Sequence, residues 1–359
     1  MLYHLFNSLR DESPFFNLFR YLTFRSIAAF TLTFVFVLLL QPRFIRWFQE
    51  KYIGQPIRDD GPQTHLKKKG TPTMGGLVVV IAIVLSTFLF ADLTNIYVWC
   101  VLGVTVGYGV LGYMDDFLKV SKQNSKGVRA RTKLVWQFGI AIFVVCALIV
   151  FVDDFSTSIS VPLFKNWNYD PGLWFIPFAV LVIVGCSNAV NLTDGLDGLV
   201  IGPVMTVAFT YGVFAYASGN TNIAEYLQIS YVKGAGDLAI FAAAMVAGGL
   251  GFLWFNSFPA QVFMGDVGAL ALGGAIGILA VITKQELVLL IAGAVFVVEA
   301  LSVIAQVASF KLTGKRIFKM APLHHHFEMN GIPEPKIIVR CWIISIVLAI
   351  VALATLKLR

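Results

Sequence analysis

The feature that most limits what this chain can fold into is the recurrence of apolar runs close to twenty residues long. They cover 22–41, 73–91, 96–114, 133–152, 172–187, 199–217, 238–255, 267–283, 287–310 and 337–356. A helix needs about 20 mostly apolar residues to cross a bilayer, and in lipid each spanning segment must satisfy its own backbone N–H and C=O groups. The pattern therefore predicts an all-α polytopic membrane protein of about ten transmembrane helices, with residues 1–359 forming one integral-membrane domain. Composition agrees: 58% of the residues are hydrophobic and 13% charged, against about a quarter charged in soluble domains. A secreted disulfide module, a disordered tail and an ordinary water-soluble enzyme are excluded. Cys100, Cys146, Cys186 and Cys341 lie inside apolar runs with no Cys-x-x-Cys spacing, so neither a disulfide framework nor a zinc site is indicated. Asp11 and Glu12 precede the first run and no small-x-small site follows it, which predicts an uncleaved span rather than a signal peptide. Very short connections after Asp92 and Thr283 predict antiparallel hairpins, the second cut at the polar break Thr283-Lys284-Gln285-Glu286.

Ten spans place both termini on one side. The loops after the first, third and ninth spans hold 7, 6 and 5 Lys and Arg residues, whereas the opposite side holds 7 in all. Basic loops mark the cytoplasmic side, so both termini are expected outside. Of the net charge of +7, cytoplasmic loops with 18 basic and 10 acidic residues carry +8. The excess is one-sided; it is no sign of nucleic-acid binding.

Five aspartates, Asp115, Asp116, Asp194, Asp197 and Asp266, fall at span ends on that basic side. Carboxylates beside a hydrocarbon slab are costly and point to function. In Tyr113-Met114-Asp115-Asp116-Phe117-Leu118-Lys119 the adjacent acids repel each other, which a divalent cation or a nearby lysine relieves. The segment from Asn188 through Asn191, Asp194 and Asp197 to Gly198 packs Asn and Asp between glycines, a composition that reads a sugar, a base or a hydrated metal. Asp266, in Met264-Gly265-Asp266, is either a helix cap or a Mg²⁺ ligand. His324-His325-His326 are consecutive, so their side chains diverge; phosphate contact fits them better than zinc. Thr71 and Thr73 open the second span as caps or as an anion site, and Lys67-Lys68-Lys69 faces lipid phosphates or a diphosphate. Glu299, in mid-span with Gln306 two turns on, reads as a partner for another helix more than as a chemical group. Acids for a divalent metal, lysines and histidines for phosphates and Asn/Gly loops on one face suit phosphoryl transfer to a lipid acceptor.

At these residues the chain resembles a family. Y-M-D-D-F-x-K, N-A-V-N-L-T-D-G-L-D-G, F-N-x-x-P-A-x-x-F-M-G-D and A-P-L-H-H-H-F-E together are similar to the polyprenyl-phosphate N-acetylhexosamine-1-phosphate transferases. The P-x-H-H-H-x-E form resembles that of the phospho-N-acetylmuramoyl-pentapeptide transferase branch more than that of the N-acetylglucosamine branch. The resemblance runs from about residue 20 to the C-terminus. It implies a Mg²⁺-dependent enzyme of the bacterial inner (cytoplasmic) membrane that joins UDP-N-acetylmuramoyl-pentapeptide to undecaprenyl phosphate, releasing UMP, with the site on the cytoplasmic face and a homodimeric assembly. It implies Asp266 as the magnesium ligand, Asp115 of the pair Asp115–Asp116 as the base, and His324 beside them in the catalytic set. It implies Asn188, Asn191, Asp194 and Asp197 as substrate-site positions and Phe263 as the ring that stacks on uracil. Lys68, Thr73, Lys119, Lys133, Asn256, Gln306 and His325 match further polar positions of that site. The rivals are an N-acetylglucosamine-1-phosphate transferase of the same superfamily and a cation-coupled transporter. A transporter would place its ionisable residues near the midplane, often in inverted repeats.

Overall fold

A computed structural model describes residues 1–9, 12–13, 15–51, 70–122, 127–153, 155–164 and 167–357. The helices in chain order are α1 (Leu2–Ser8), α2 (Leu22–Lys51), α3 (Gly76–Phe90), α4 (Ile96–Ser121), α5 (Ala130–Phe151), α6 (Phe175–Thr193) and α7 (Ile201–Ser218). There follow α8 (Thr221–Leu227), α9 (Leu238–Asn256), α10 (Gly265–Ile282), α11 (Leu289–Ala292), α12 (Ala294–Thr313), α13 (Leu323–Met329) and α14 (Glu334–Ala354). Among the described residues nine helices are long and apolar enough to cross a membrane, and α3 is a shorter apolar helix. Every predicted span has its helix. Two strands, Ile159–Ser160 and Asn168–Tyr169, pair antiparallel outside the bundle.

Helix α10 is the axis. It packs against α4, α6, α3 and α7, and from Val267 onward every residue is buried. Lipid tails are as apolar as leucine, so membrane helices gain little by hiding apolar surface from them. They associate through close packing at small residues. Here an ideal Cβ on Gly273 would sit 2.7 Å from the Ser187 Cα, one on Gly277 2.7 Å from the Ile183 Cα, and one on Gly76 2.5 Å from the Gly268 Cα. These glycines let α10 touch α6 and α3 backbone to backbone.

The bundle has two distinct ends. At one, the N-terminal amine donates to the Phe88 carbonyl at 2.7 Å and Arg25 pairs with Asp237 at 2.9 Å. The segment leading to Asp237 begins at α8, whose Tyr226 ring lies 3.7 Å beneath Lys357 Nζ. Both chain termini therefore share an end, as the count of spans requires. The acidic loops gather at the other end.

Two expectations need correction. Helix α3 starts at Gly76 rather than near Thr73, and no hydroxyl caps it. The Gly75 and Gly76 N–H groups donate to the Phe263 and Met264 carbonyls at 2.9 and 3.0 Å, so they are not offered to an anion. After Thr283 the chain does not turn back along α10. It breaks at Gly293, between α11 and α12, and α12 runs along α6 and α14. The polar break itself is no surface loop. Thr283, Lys284, Gln285 and Glu286 are all buried, with Lys284 Nζ 3.9 Å over the Phe175 ring and 3.1 Å from Glu286 Oε1. Burial lowers the Lys284 pKa and raises that of Glu286; their pairing opposes both shifts.

Candidate active site

The last two turns of α4 carry Asp115, Asp116 and Lys119. Neighbours on a helix point about 100° apart, and the two acids divide accordingly. Asp115 Oδ1 accepts the Val128 N–H at 2.8 Å, fastening the segment that leads into α5. Asp116 Oδ2 accepts the Val267 N–H at 3.1 Å and so caps α10 from outside. Asp266 stands in the first turn of α10, with Lys119 Nζ at 3.1 Å and Lys133 Nζ, from α5, at 2.7 Å from its Oδ2. Lys119 also contacts Asp115 and lies 3.8 Å from Asp116 Oδ1. Oxygens of Asp115, Asp116 and Asp266 all lie within 4.8 Å of one another. Three carboxylates and two ammoniums leave one negative charge. Among the described residues Asp116 Oδ1 is buried without a hydrogen-bond partner. Hard oxygen donors with residual negative charge and an unspent lone pair fit a divalent cation of the Mg²⁺ type.

The segment after α6 lies beside this cluster. Burial, and then the charges of Asp266 and Asp197, push the Asp194 carboxyl up to about 7. An unfolded aspartate titrates near ~3.9. Between about pH 4 and pH 7 the folded chain therefore holds a proton that the unfolded chain lacks, and stability from this group is lost as pH rises through that window. The melting-temperature difference of Asp194→Asn over the parent should grow from acid to neutral pH and level off above; a flat difference would assign Asp194 an ordinary carboxylate pKa. Asp197 Oδ2 accepts the Ala260 N–H at 3.0 Å, tying this segment to the loop after α9. Asn191 is half-buried on the last turn of α6. Asn188 donates its amide to Gln137 Oε1 at 2.9 Å and to the Val184 carbonyl at 2.8 Å, so that amide joins α6 to α5.

The loop after α9 is pinned from both sides. Buried Asn256 donates to the Val262 carbonyl at 2.8 Å, and its Oδ1 has no hydrogen-bond partner among the described residues. Phe263 is held through its backbone, its N–H donating to the Pro72 carbonyl at 2.8 Å, which leaves the half-buried ring for stacking. The hydroxyl of buried Thr73 lies beside Gly265 and has no hydrogen-bond partner among the described residues. The three histidines ride on α13 and go to three partners. His324 Nδ1 is 3.2 Å from Glu299 and His325 Nδ1 is 3.2 Å from Glu328, while His326 Nδ1 accepts the Lys319 N–H at 3.2 Å. They converge on no common ion. Gln306 bonds the 317–318 backbone three times, each at 3.0 Å, and shapes that loop. Lys68 lies outside the described residues.

Sequence reasoning passed over two residues that build the site. Gln137 was legible only as one polar residue in an apolar span. Glu334, whose Oε1 accepts the Asp197 N–H at 2.9 Å, opens α14 just before the last predicted span and carries no motif. Gly127 was missed as well: a Cβ there would lie 2.4 Å from Asp115 Oδ1.

A polytopic α-helical membrane protein with acids, lysines and histidines at one end has the architecture of a membrane-bound glycosyl-1-phosphate transferase. Residues 98–284 match glycosyl transferase family 4, and residues 68–80 match signature 1 of the phospho-N-acetylmuramoyl-pentapeptide-transferases. Curated relatives bearing that transferase name, from Citrifermentans bemidjiense, Geobacter sp. and Pelobacter propionicus, are 56%, 55% and 54% identical, with 100% of both chains covered in each case. The chain belongs to the phospho-N-acetylmuramoyl-pentapeptide-transferase family.

Proposed function

We propose that the Asp115–Asp116–Asp266 cluster with Lys119 and Lys133 is where the chain carries out its family's reaction. Phospho-N-acetylmuramoyl-pentapeptide passes from UDP to undecaprenyl phosphate, giving lipid I and UMP, the first membrane step of peptidoglycan synthesis. The observation that carries this reading is three carboxylates from α4 and α10 within 4.8 Å of one another, interleaved with two lysines.

In this reading the basic loops face the cytoplasm of a bacterial inner membrane, where the water-soluble UDP conjugate is available. The chain acts as a homodimer, as the resemblance implies. Asp115 accepts the proton of the lipid phosphate. A lipid phosphate oxygen attacks the phosphorus that carries the sugar, a new P–O bond forms, the P–O bond to UMP breaks, and UMP leaves with the electron pair. Lys119 and Lys133, with His324 and His325, offset the charge spread over the transferring oxygens. Asn191, Asp194, Asp197 and Asn256 orient the sugar nucleotide beside the Phe263 ring. Held by Asp266 with Asp115 and Asp116 beside it, Mg²⁺ would lower the cost of charge building on the diphosphate. Direct attack is favoured over a two-step path because Asp115 and Asp116 each spend an oxygen on a backbone N–H, which suits a fixed base or ligand better than a nucleophile. A phospho-sugar adduct trapped on Asp115 or Asp266 would overturn that order.

The test is UMP release by detergent-solubilised protein given undecaprenyl phosphate. Release with the muramoyl-pentapeptide donor, abolished by EDTA and restored by Mg²⁺, is the expected result. Release with UDP-N-acetylglucosamine instead would move the chain to the sister branch, and no Mg²⁺-dependent release with either donor would overturn the reading.

A further inference from the structure

Three helices bring charged side chains to the acid cluster, and α5 is the one with the least packing to hold it. Of the apolar stretches, 61% of α4 and 89% of α10 are buried, but 28% of α5. Helix α5 packs against α4 and α6, yet its Lys133 must meet Asp266 on α10 at 2.7 Å. The buried seam of α5 runs through Gln137, Ala141, Val144, Val145 and Leu148. Gln137 is the polar member, and it lies one turn from Lys133 on the same face. Apolar contact is non-directional, so such a seam fixes register weakly. A hydrogen bond between helices is directional.

Gln137 is wholly buried, and both ends of its amide are engaged. Oε1 accepts the Asn188 amide N–H at 2.9 Å, and Nε2 donates to Ser187 Oγ at 3.4 Å, both on α6. Ser187 Oγ donates onward to the Leu270 carbonyl of α10 at 2.9 Å. The Gln137 backbone carbonyl accepts the Tyr108 hydroxyl of α4 at 2.8 Å. One residue thus ties α5 directly to α4 and α6, and through Ser187 to α10. These are the helices that carry Asp115, Asp116 and Lys119 (α4), Lys133 (α5), Asn191 (α6) and Asp266 (α10).

We propose that Gln137 is a positioning residue that sets the register of α5 against α6 and so holds Lys133 on Asp266. It acts through the lysine and touches no substrate. A methionine would fill the same place in an apolar seam, and hydrogen bonds between helices add little net stability in a membrane. Stability alone therefore does not account for an amide here. Register does, and it is the best-attested use of a buried polar group between helices. The Asn188 bond also fixes α6 one turn before Asn191, so the lysine and the substrate segment share one reference point.

This inference rests on the proposed transferase reading, and its test separates the two. Gln137→Met keeps length and apolar fit but removes both side-chain bonds. The variant should fold, because Asn188 keeps the Val184 carbonyl, Ser187 keeps the Leu270 carbonyl, and the Tyr108 bond is to backbone. The first readout needs no turnover: reductive methylation of detergent-solubilised protein, read by peptide mass spectrometry. Lys133 should be modified about two- to fivefold faster in Gln137→Met than in the parent, the scale of a modest ion pair released. Lys119, held on α4, should be unchanged. In the UMP-release assay kcat should fall about 10- to 10²-fold, the scale of an ångström's misplacement at a reacting centre. KM should stay within about threefold, since charge stabilisation by Lys133 belongs to the transition state. In an Asn188→Leu background Gln137→Met should cost little further activity, because the two residues act through one bond. Val144→Ala, on the same seam, should lower the melting temperature and leave Lys133 modification and kcat at parent values. Unchanged Lys133 modification in Gln137→Met, parent kcat with the modification raised, a fully multiplied loss in the double variant, or the same changes in Val144→Ala would each overturn the inference while leaving the transferase reading intact. A parent that releases no UMP, with Lys133 modification still raised in Gln137→Met, would overturn the reading and leave the positioning.

Discussion

Asp266→Asn should lower UMP release by about 10³-fold or more while the protein stays folded, a loss on the scale of removing a preorganised electrostatic group from an active site. The asparagine has nearly the same shape but no charge. Lys119 and Lys133, at 3.1 and 2.7 Å, would lose their shared anion, and the five-group cluster would go from one net negative charge to neutral. A divalent cation then meets two carboxylates instead of three, and its affinity should fall along with kcat. Folding should survive because Asp266 does not hold its own helix in place. The start of α10 is capped by Asp116, through Val267. The contrast makes the experiment informative: Asp116→Ala should lose activity and melting temperature together, Asp266→Asn activity alone. Titration of Mg²⁺ against UMP release, alongside a thermal melt, reads both. Parent turnover with unchanged Mg²⁺ dependence would remove Asp266 from the site.

That the five acids would share one end was legible from the order of the spans, because parity alone puts the loops after the third, fifth and seventh predicted spans on one side. Adjacent carboxylates in Asp115–Asp116 could be read as a cation or lysine site, and the structure supplies the lysines. The divergence of the three histidines followed from consecutive side chains pointing apart. What could not be read was anything set by partners distant in sequence. Helix α3 begins late because carbonyls of Phe263 and Met264, nearly two hundred residues on, take its first donors. Thr283–Glu286 could be read only as a polar break between two spans. It is buried because Phe155, Phe175 and Tyr211 come from three other segments to cover it. Gln306 carries the composition of a ligand-binding residue, but its amide is consumed by the 317–318 backbone. In each case local chemistry announced a polar role, and only the packing decided which partner filled it.

The same dependence on close packing yields the second large effect, at a glycine with no chemistry of its own. Gly109 and Gly112 lie one turn apart on the face of α4 that meets α10. A Cβ on Gly109 would find only ordinary contacts, 3.5 Å to Val80 Cγ1 and 3.7 Å to Ala271 Cβ. On Gly112 it would lie 2.3 Å from the Asp266 carbonyl oxygen and 2.5 Å from the Val267 Cα. Those atoms are backbone and have no rotamer to escape into, so α4 and α10 must part by about an ångström. A displacement of that size costs a catalytic site about 10²-fold. It would carry Asp266 away from Lys119 and Lys133 and stretch the Asp116 cap on Val267 at the same moment. Gly112→Ala should therefore lower kcat by about 10²-fold and destabilise the protein by about 1–3 kcal/mol through overpacking. Gly109→Ala should keep parent activity and hold or raise the melting temperature, since alanine is favoured over glycine within a helix by about 0.5–1 kcal/mol. Equal effects from the two substitutions would mean that the α4–α10 approach at Gly112 does not set the position of Asp266. A loss confined to Gly112→Ala would tie the geometry of the three-aspartate cluster to a single missing methyl group.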